Sequence, residues 1–155
     1  MEKVWTYLFR ANLYDDDFTI YRDIVILSNQ SLHDLLGFIR SLYGLDSIHD
    51  AVGAHCNAEW FRLEAIDLDK NPLLMDFVVE PYQKFYYCYD LEKEFEFFVE
   101  LLDIREGVAE VAYPICEKEE GFAPAQYTPF ELDKGKNITD KNKIIGIKSA
   151  LRWIK

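Results

Sequence analysis

Apolar and polar residues alternate with a period of two along much of this chain and fall at helical spacing in two stretches. Val4 to Leu13 is rich in aromatic and β-favouring residues. After the turn-forming Asp15-Asp16-Asp17, the segment Phe18 to Leu27 sets Ile20, Ile24 and Ile26 on one parity, and the pair predicts a β-hairpin. Ser31 then offers a hydroxyl N-cap, Asp34 lies in the first turn, where the helix dipole favours a negative charge, and Gly44 suits a left-handed C′ position. Between these ends Leu32, Leu35, Leu36, Ile39, Leu42 and Tyr43 form one apolar face, with Gly37 costing about 1 kcal/mol relative to alanine.

Asp46 to Asn57 is polar and reads as irregular. Glu59 to Ile66 alternates Phe61, Leu63 and Ala65 against Arg62 and Glu64, which predicts a strand with one wet face. Lys84 to Leu91 and Glu94 to Ile104 read as two more strands, the second alternating Phe95, Phe97, Val99 and Leu101 against Glu94, Glu96 and Glu100. Val108 to Cys116 predicts a further strand, and Glu117 to Pro129, with Gly121 and Pro124, reads as a loop. A final helix capped by Thr139 or Asp140 would show the stripe Ile144, Ile147, Leu151 and Ile154. Strands in runs, with helices between and after them, predict an α+β fold: a largely antiparallel sheet with an N-terminal hairpin, a helix after it and a C-terminal amphipathic helix.

The length of 155 residues fits a single domain over 1–155, able to bury roughly 70% of the surface its unfolded form exposes. A hydrophobic fraction of 50% is that of a chain with a packed core. No apolar run approaches the ~20 residues of a membrane span and Met1 to Arg10 lacks a signal-peptide pattern, so a cytoplasmic protein without membrane contact is expected. Cys56, Cys88 and Cys116 form no C-x-x-C pair and read as small buried hydrophobes.

Net charge is −11, but it is unevenly placed. Residues 134–155 hold seven basic side chains against Asp140 alone, a net of +6, leaving −17 on residues 1–133. Lys141, Lys148, Arg152 and Lys155 would share one stripe of the expected terminal helix, a geometry suited to a phosphate backbone or to an acidic surface.

Catalytic motifs are missing. There is no G-x-S-x-G elbow among the five serines, and the seven glycines form neither G-x-G-x-x-G nor a P-loop. Asp46, His49, Asp50, His55 and Cys56 gather carboxylate, imidazole and thiol after the first helix, but at no standard zinc or calcium spacing, so no metal or cofactor is expected. Glu94, Glu96 and Glu100 read as the solvated face of a strand, and Phe85, Tyr86, Tyr87 and Tyr89 as the packing of a central one.

Taken together, the segments from Trp5 to Gln126 resemble the Ri-plasmid open-reading-frame-three-like family, also described as insertion-element passenger proteins, whose biochemical function is unassigned. The family runs from an aromatic-Arg pair into a Thr-Leu-x-x-Leu-His helix ending in Phe-Gly-Trp-Asp and followed by His-Leu. The corresponding residues are Tyr21-Arg22, Ser31-Leu32-x-x-Leu35-Leu36, Tyr43-Gly44-Leu45-Asp46 and His49. The family's Tyr-Asp-Phe-Gly-Asp-x-Trp-x-His is matched loosely by Tyr89 to Phe97, and its later Cys and Pro-rich stretch by Cys116 and Pro124. Leu36, Leu45, Phe95 and Phe97 stand where the family has His, Trp, Trp and His. The resemblance implies the apolar framework and offers Asp46, His49, Tyr89, Asp90 and Cys116 as candidate binding residues, with most of the polar set lost.

These readings converge on a non-catalytic binding or interaction protein with a protein partner, linked to mobile elements by the resemblance. A nucleic-acid accessory protein and a divergent metal-dependent hydrolase are the alternatives. On the leading reading, labelled oligonucleotides show no steeply salt-dependent fluorescence-anisotropy binding between ~50 and ~200 mM salt. Binding that vanishes in a chain ending at Asp133 would instead assign nucleic-acid contact to the basic segment.

Overall fold

The computed structural model describes residues 4–15, 19–56, 63–78, 80–108 and 110–126. Seven strands, β1 (Trp5–Leu13), β2 (Ile20–Leu27), β3 (Ala51–Cys56), β4 (Leu63–Ala65), β5 (Lys84–Tyr89), β6 (Phe95–Glu106) and β7 (Ile115–Glu120), form one sheet in the order β4-β3-β5-β6-β1-β2-β7. Every neighbouring pair is antiparallel. The helical elements are α1 (Leu32–Leu42), a 3-10 turn at Leu68–Lys70 and the single-turn α2 (Leu74–Phe77).

Period-two placement decides which residues meet α1. Tyr7, Phe9, Ala11 and Leu13 of β1, Ile24 and Ile26 of β2, Phe85, Tyr87 and Tyr89 of β5, and Phe95, Phe97, Val99 and Leu101 of β6 all join one buried cluster with Leu32, Leu35, Leu36 and Ile39. Each fully buried aliphatic side chain there contributes about 1.5–3 kcal/mol. The capping box of α1 closes as its sequence requires: Ser31 Oγ accepts from the Asp34 amide and Asp34 Oδ2 accepts from the Ser31 amide, both at 3.1 Å. Gly44 ends the helix at φ 68°, where the Leu45 amide reaches back to the Arg40 carbonyl at 2.9 Å.

The opposite sheet face carries a smaller cluster of Ala54, Tyr86, Cys88, Leu91 and Phe98. Polar residues share that face. Arg10 forms a bidentate pair with Asp23, its register partner on β2, at 2.8 and 2.9 Å, and lies 4.0 Å over the Tyr21 ring. Glu96 is 6% exposed and accepts from the Tyr86 hydroxyl at 3.0 Å, so the glutamates of β6 are not a uniformly solvated row.

The α+β class is therefore corrected to a mostly β architecture, because helices are few and two strands escaped the pattern. β3 lies in the stretch read as irregular; Gly53, Ala54 and His55 give it no apolar alternation, and pairing on both sides by β4 and β5 makes it a strand. β7 starts in the last two residues of the strand expected over Val108 to Cys116 and runs on through Glu117 to Glu120, where a loop was expected; it is largely exposed, so its sequence shows no buried face. It is recruited by β2 and by Arg22, whose Nη1 donates to the Glu120 carbonyl at 2.7 Å. Residues 110–114, within the stretch expected to be strand, make turn and bend instead, with a cis Tyr113-Pro114 bond. No C-terminal amphipathic helix is seen among the described residues; that expectation, with Lys141, Lys148, Arg152 and Lys155, lies outside them. Among the described residues no helix is long and apolar enough to cross a membrane.

His55 on β3 lies against Phe77, ring centroids 4.4 Å apart, and burial lowers its pKa, with Glu64 opposing. Below about pH 6.5 the unfolded chain therefore binds more protons at this site than the folded one. Its contribution is complete above that pH and is lost as pH falls through it toward the lower folded value. Urea-unfolding midpoints at stepped pH check this: wild type loses more stability on acidification than His55→Gln does.

Candidate functional site

Three chain segments meet at one end of the sheet. The loop after α1 brings Asp46 and His49, the end of β5 brings Tyr89 and Asp90, and the segment beyond β7 brings Gln126. The helix terminus at Gly44 turns the chain toward β3, so Asp46 follows it directly, and the parity of β5 aims Tyr89 into the α1 face. Asp90 adopts φ 57°, a left-handed conformation that a short polar side chain tolerates, and Glu94 does so at 55°. The Asp90 amide donates at 3.1 Å to the carbonyl of Asp50, just before β3, and the Glu94 amide closes back on the Asp90 carbonyl at 2.7 Å. This is the hairpin turn joining β5 to β6.

Asp46 Oδ1 is the hub. It accepts from the Tyr89 hydroxyl at 2.8 Å and from Gln126 Nε2 at 3.3 Å, and it lies 2.6 Å from His49 Nδ1. An ionised carboxylate can only accept, so in this bond Nδ1 is the donor. The His49 amide donates to the Tyr89 hydroxyl oxygen at 2.9 Å, and the Asp46 amide to Gln126 Oε1 at 2.8 Å. Gln126 Nε2 also donates to Asp90 Oδ2 at 2.9 Å. Asp90 is fully buried, and its other oxygen accepts from the Lys93 amide at 3.4 Å. Burial, then the Asp46 carboxylate, push the Tyr89 pKa up against the His49 amide, which keeps the phenol protonated as a donor.

Four of the five residues carried by the family resemblance, Asp46, His49, Tyr89 and Asp90, thus belong to one hydrogen-bonded unit. Cys116 does not. It lies on β7, where Sγ donates to the Lys118 carbonyl at 3.4 Å, and burial and Glu119 raise its pKa, which disfavours the thiolate a nucleophile needs. The wider set Asp46, His49, Asp50, His55 and Cys56 divides: Asp50 contributes its carbonyl to the hairpin turn, and His55 lies on β3 against Phe77. Among the described residues no three His, Cys, Asp or Glu side chains are grouped to hold a metal ion.

A His-Asp pair of this kind resembles the base and orienter of a hydrolytic triad. Here the His49 side chain is 3% exposed, and the unit ties three chain segments together. Gln126 was not legible in the sequence, since nothing in an 80-residue separation marks it as the partner of Asp46.

A pocket of about 170 Å³ lies on the α1 face, lined by His33, Leu36, Arg40, Ala51, Leu68 and Tyr87. His33, Leu36 and Arg40 share a helix face by their spacing of three and four, which the sequence displays; their juxtaposition with Ala51, Leu68 and Tyr87 is tertiary.

No family model and no curated protein matches this chain. Its fold is similar to the crystal structure of MM3350, a protein of unknown function from Methanosarcina mazei Go1, with a TM-score of 0.67 and 19% identity over 96% of this chain and 81% of that one. At this identity the likeness is one of fold.

Replacing Gln126 tests the unit. Gln126→Ala leaves the Asp46 amide and Asp90 Oδ2 short of a partner and lowers stability by about 1–3 kcal/mol in urea unfolding. Gln126→Glu sets a third carboxylate against Asp46 and Asp90, is more damaging at pH 7, and recovers relative to wild type as pH falls toward 5, because repulsion raises the folded-state pKa and the folded state gains the extra proton.

Proposed function

We propose that this chain is a non-catalytic binding or interaction protein and a divergent member of the Ri-plasmid open-reading-frame-three-like family, linked through it to mobile-element biology and acting in the cytoplasm. The observation that carries the reading is the closure of the Asp46, His49, Tyr89, Asp90 and Gln126 unit. Four of the residues that the resemblance offers as a site are hydrogen-bonded into one unit, with the His49 side chain 3% exposed and no serine, threonine or cysteine among the described residues shown bonded to it. The same residues support family membership, because matches taken from two separate motifs, around Asp46 and around Tyr89, come together in space. A binding protein needs such a unit only as scaffold.

One observation favours a second reading. His49 Nδ1 to Asp46 Oδ1 at 2.6 Å is the spacing of a base and its orienter, as a divergent hydrolase would require. Ester, phosphoester and amide substrates assayed with zinc, manganese or magnesium separate the two. The expected outcome is no turnover above that of His49→Ala; a metal-dependent hydrolysis that disappears in His49→Ala overturns the non-catalytic reading.

A further inference from the structure

Four arginines lie among the described residues, and three of them are ion-paired. Arg10 holds Asp23, Arg105 holds Asp103 and Glu117, and Arg22 lies 3.8 Å from Glu119. Arg40 is different. Half-buried on the last turn of α1, it donates from Nη1 to the Tyr87 hydroxyl at 2.9 Å and lies 5.3 Å from the Tyr89 ring centre, and among the described residues it has no carboxylate within ion-pair distance. A guanidinium has five N–H donors in a planar fork suited to two parallel hydrogen bonds with a carboxylate. In a chain of net charge −11, an unneutralised cation at the wall of a pocket is the feature that calls for an anion from outside.

The pocket limits what that anion is. Leu36, Ala51 and Leu68 give it apolar walls, and Tyr87 lines it beside Arg40. Burial raises the Tyr87 pKa, with Arg40 opposing, so its hydroxyl stays neutral and does not satisfy the guanidinium charge. The free volume of about 170 Å³ is on the scale of a cavity that admits a single benzene ring, roughly 150 Å³. His33 fixes one rim by hydrogen-bonding the Leu68 carbonyl through Nε2 and the Asn71 side chain through its amide. The walls therefore come from α1, the 3-10 turn, β3 and β5.

We propose that this pocket binds a small organic monocarboxylate with an apolar body about the size of one six-membered ring, the carboxylate on Arg40 and the body among Leu36, Ala51, Leu68 and Tyr87. The proposal rests on the reading of the chain as a binding protein and names a ligand class for it. None of the residues lining the pocket belongs to the Asp46 unit, which Arg40 meets only at the Tyr89 ring.

Benzoate is the probe, with benzamide as its neutral counterpart, titrated into the ¹⁵N-labelled full chain and followed by the Ala51 and Leu68 amides and the Arg40 Nε–H resonance. Benzoate shifts all three and binds roughly tenfold or more tightly than benzamide. Arg40→Gln removes that preference, and Ala51→Leu, which fills the pocket, abolishes both responses in a chain whose remaining spectrum is unchanged. Absence of shifts at about 10 mM benzoate, equal binding of benzamide, or a preference that survives Arg40→Gln overturns the proposal. Conversion of a bound carboxylate to a product would leave the pocket assignment intact and overturn the non-catalytic reading instead.

Discussion

Burying tyrosines imposes the constraint on which this structure depends. Tyr7, Tyr43, Tyr86, Tyr87 and Tyr89 are all at most 5% exposed, and a phenol hydroxyl removed from water without a partner costs about 1–3 kcal/mol. Each has a specific acceptor or donor: the Val78 carbonyl for Tyr7, the Ala11 carbonyl for Tyr43, Glu96 for Tyr86, Arg40 for Tyr87 and Asp46 for Tyr89. The rings supply core volume; the hydroxyls decide which chain segments approach them. Tyr43 joins the end of α1 to β1, Tyr7 joins β1 to the chain after α2, and Tyr89 brings the loop after α1 to the top of β5.

Two neighbouring environments follow from the parity of β5. Tyr87 and Tyr89 point to the same side, two residues apart; Arg40 contacts both, but their hydroxyls meet different partners. Tyr87 meets the last turn of the helix and its arginine, which leaves a pocket beside a cation. Tyr89 meets the chain just past the helix, where Asp46, partly exposed, bonds to the shielded side chains of His49 and Gln126. The first is open beside an arginine that has no carboxylate partner among the described residues, and the second is a hydrogen-bonded unit around a shielded imidazole.

The acidic character of the chain is managed locally. Asp90 and Glu96 are buried carboxylates held by hydrogen-bond donors, Asp90 by an amide side chain and a backbone N–H, Glu96 by a tyrosine hydroxyl. Donors of this kind allow carboxylates into the interior where isolated ones would be prohibitive. Period-two reading of β6 places its glutamates on one face but does not reveal how much of that face is covered.

What the sequence by itself determined are the features set by neighbours along the chain. The Ser31–Asp34 cap, the Gly44 terminus, the apolar stripe of α1, the β-favouring composition of β1 and β5 and the parity of β2 and β6 are all short-range patterns, and each appears where the pattern puts it. Tertiary structure decided the rest. β3 and β7 are strands because β5 and β2 offer them unpaired backbone groups, not because their side chains alternate. Gln126 reaches Asp46 and Arg40 faces Ala51 and Leu68 only once the sheet order is formed. Hydrogen bonds between residues many positions apart leave no period in the sequence, so the mostly β class, the closed unit and the open pocket were visible only in three dimensions.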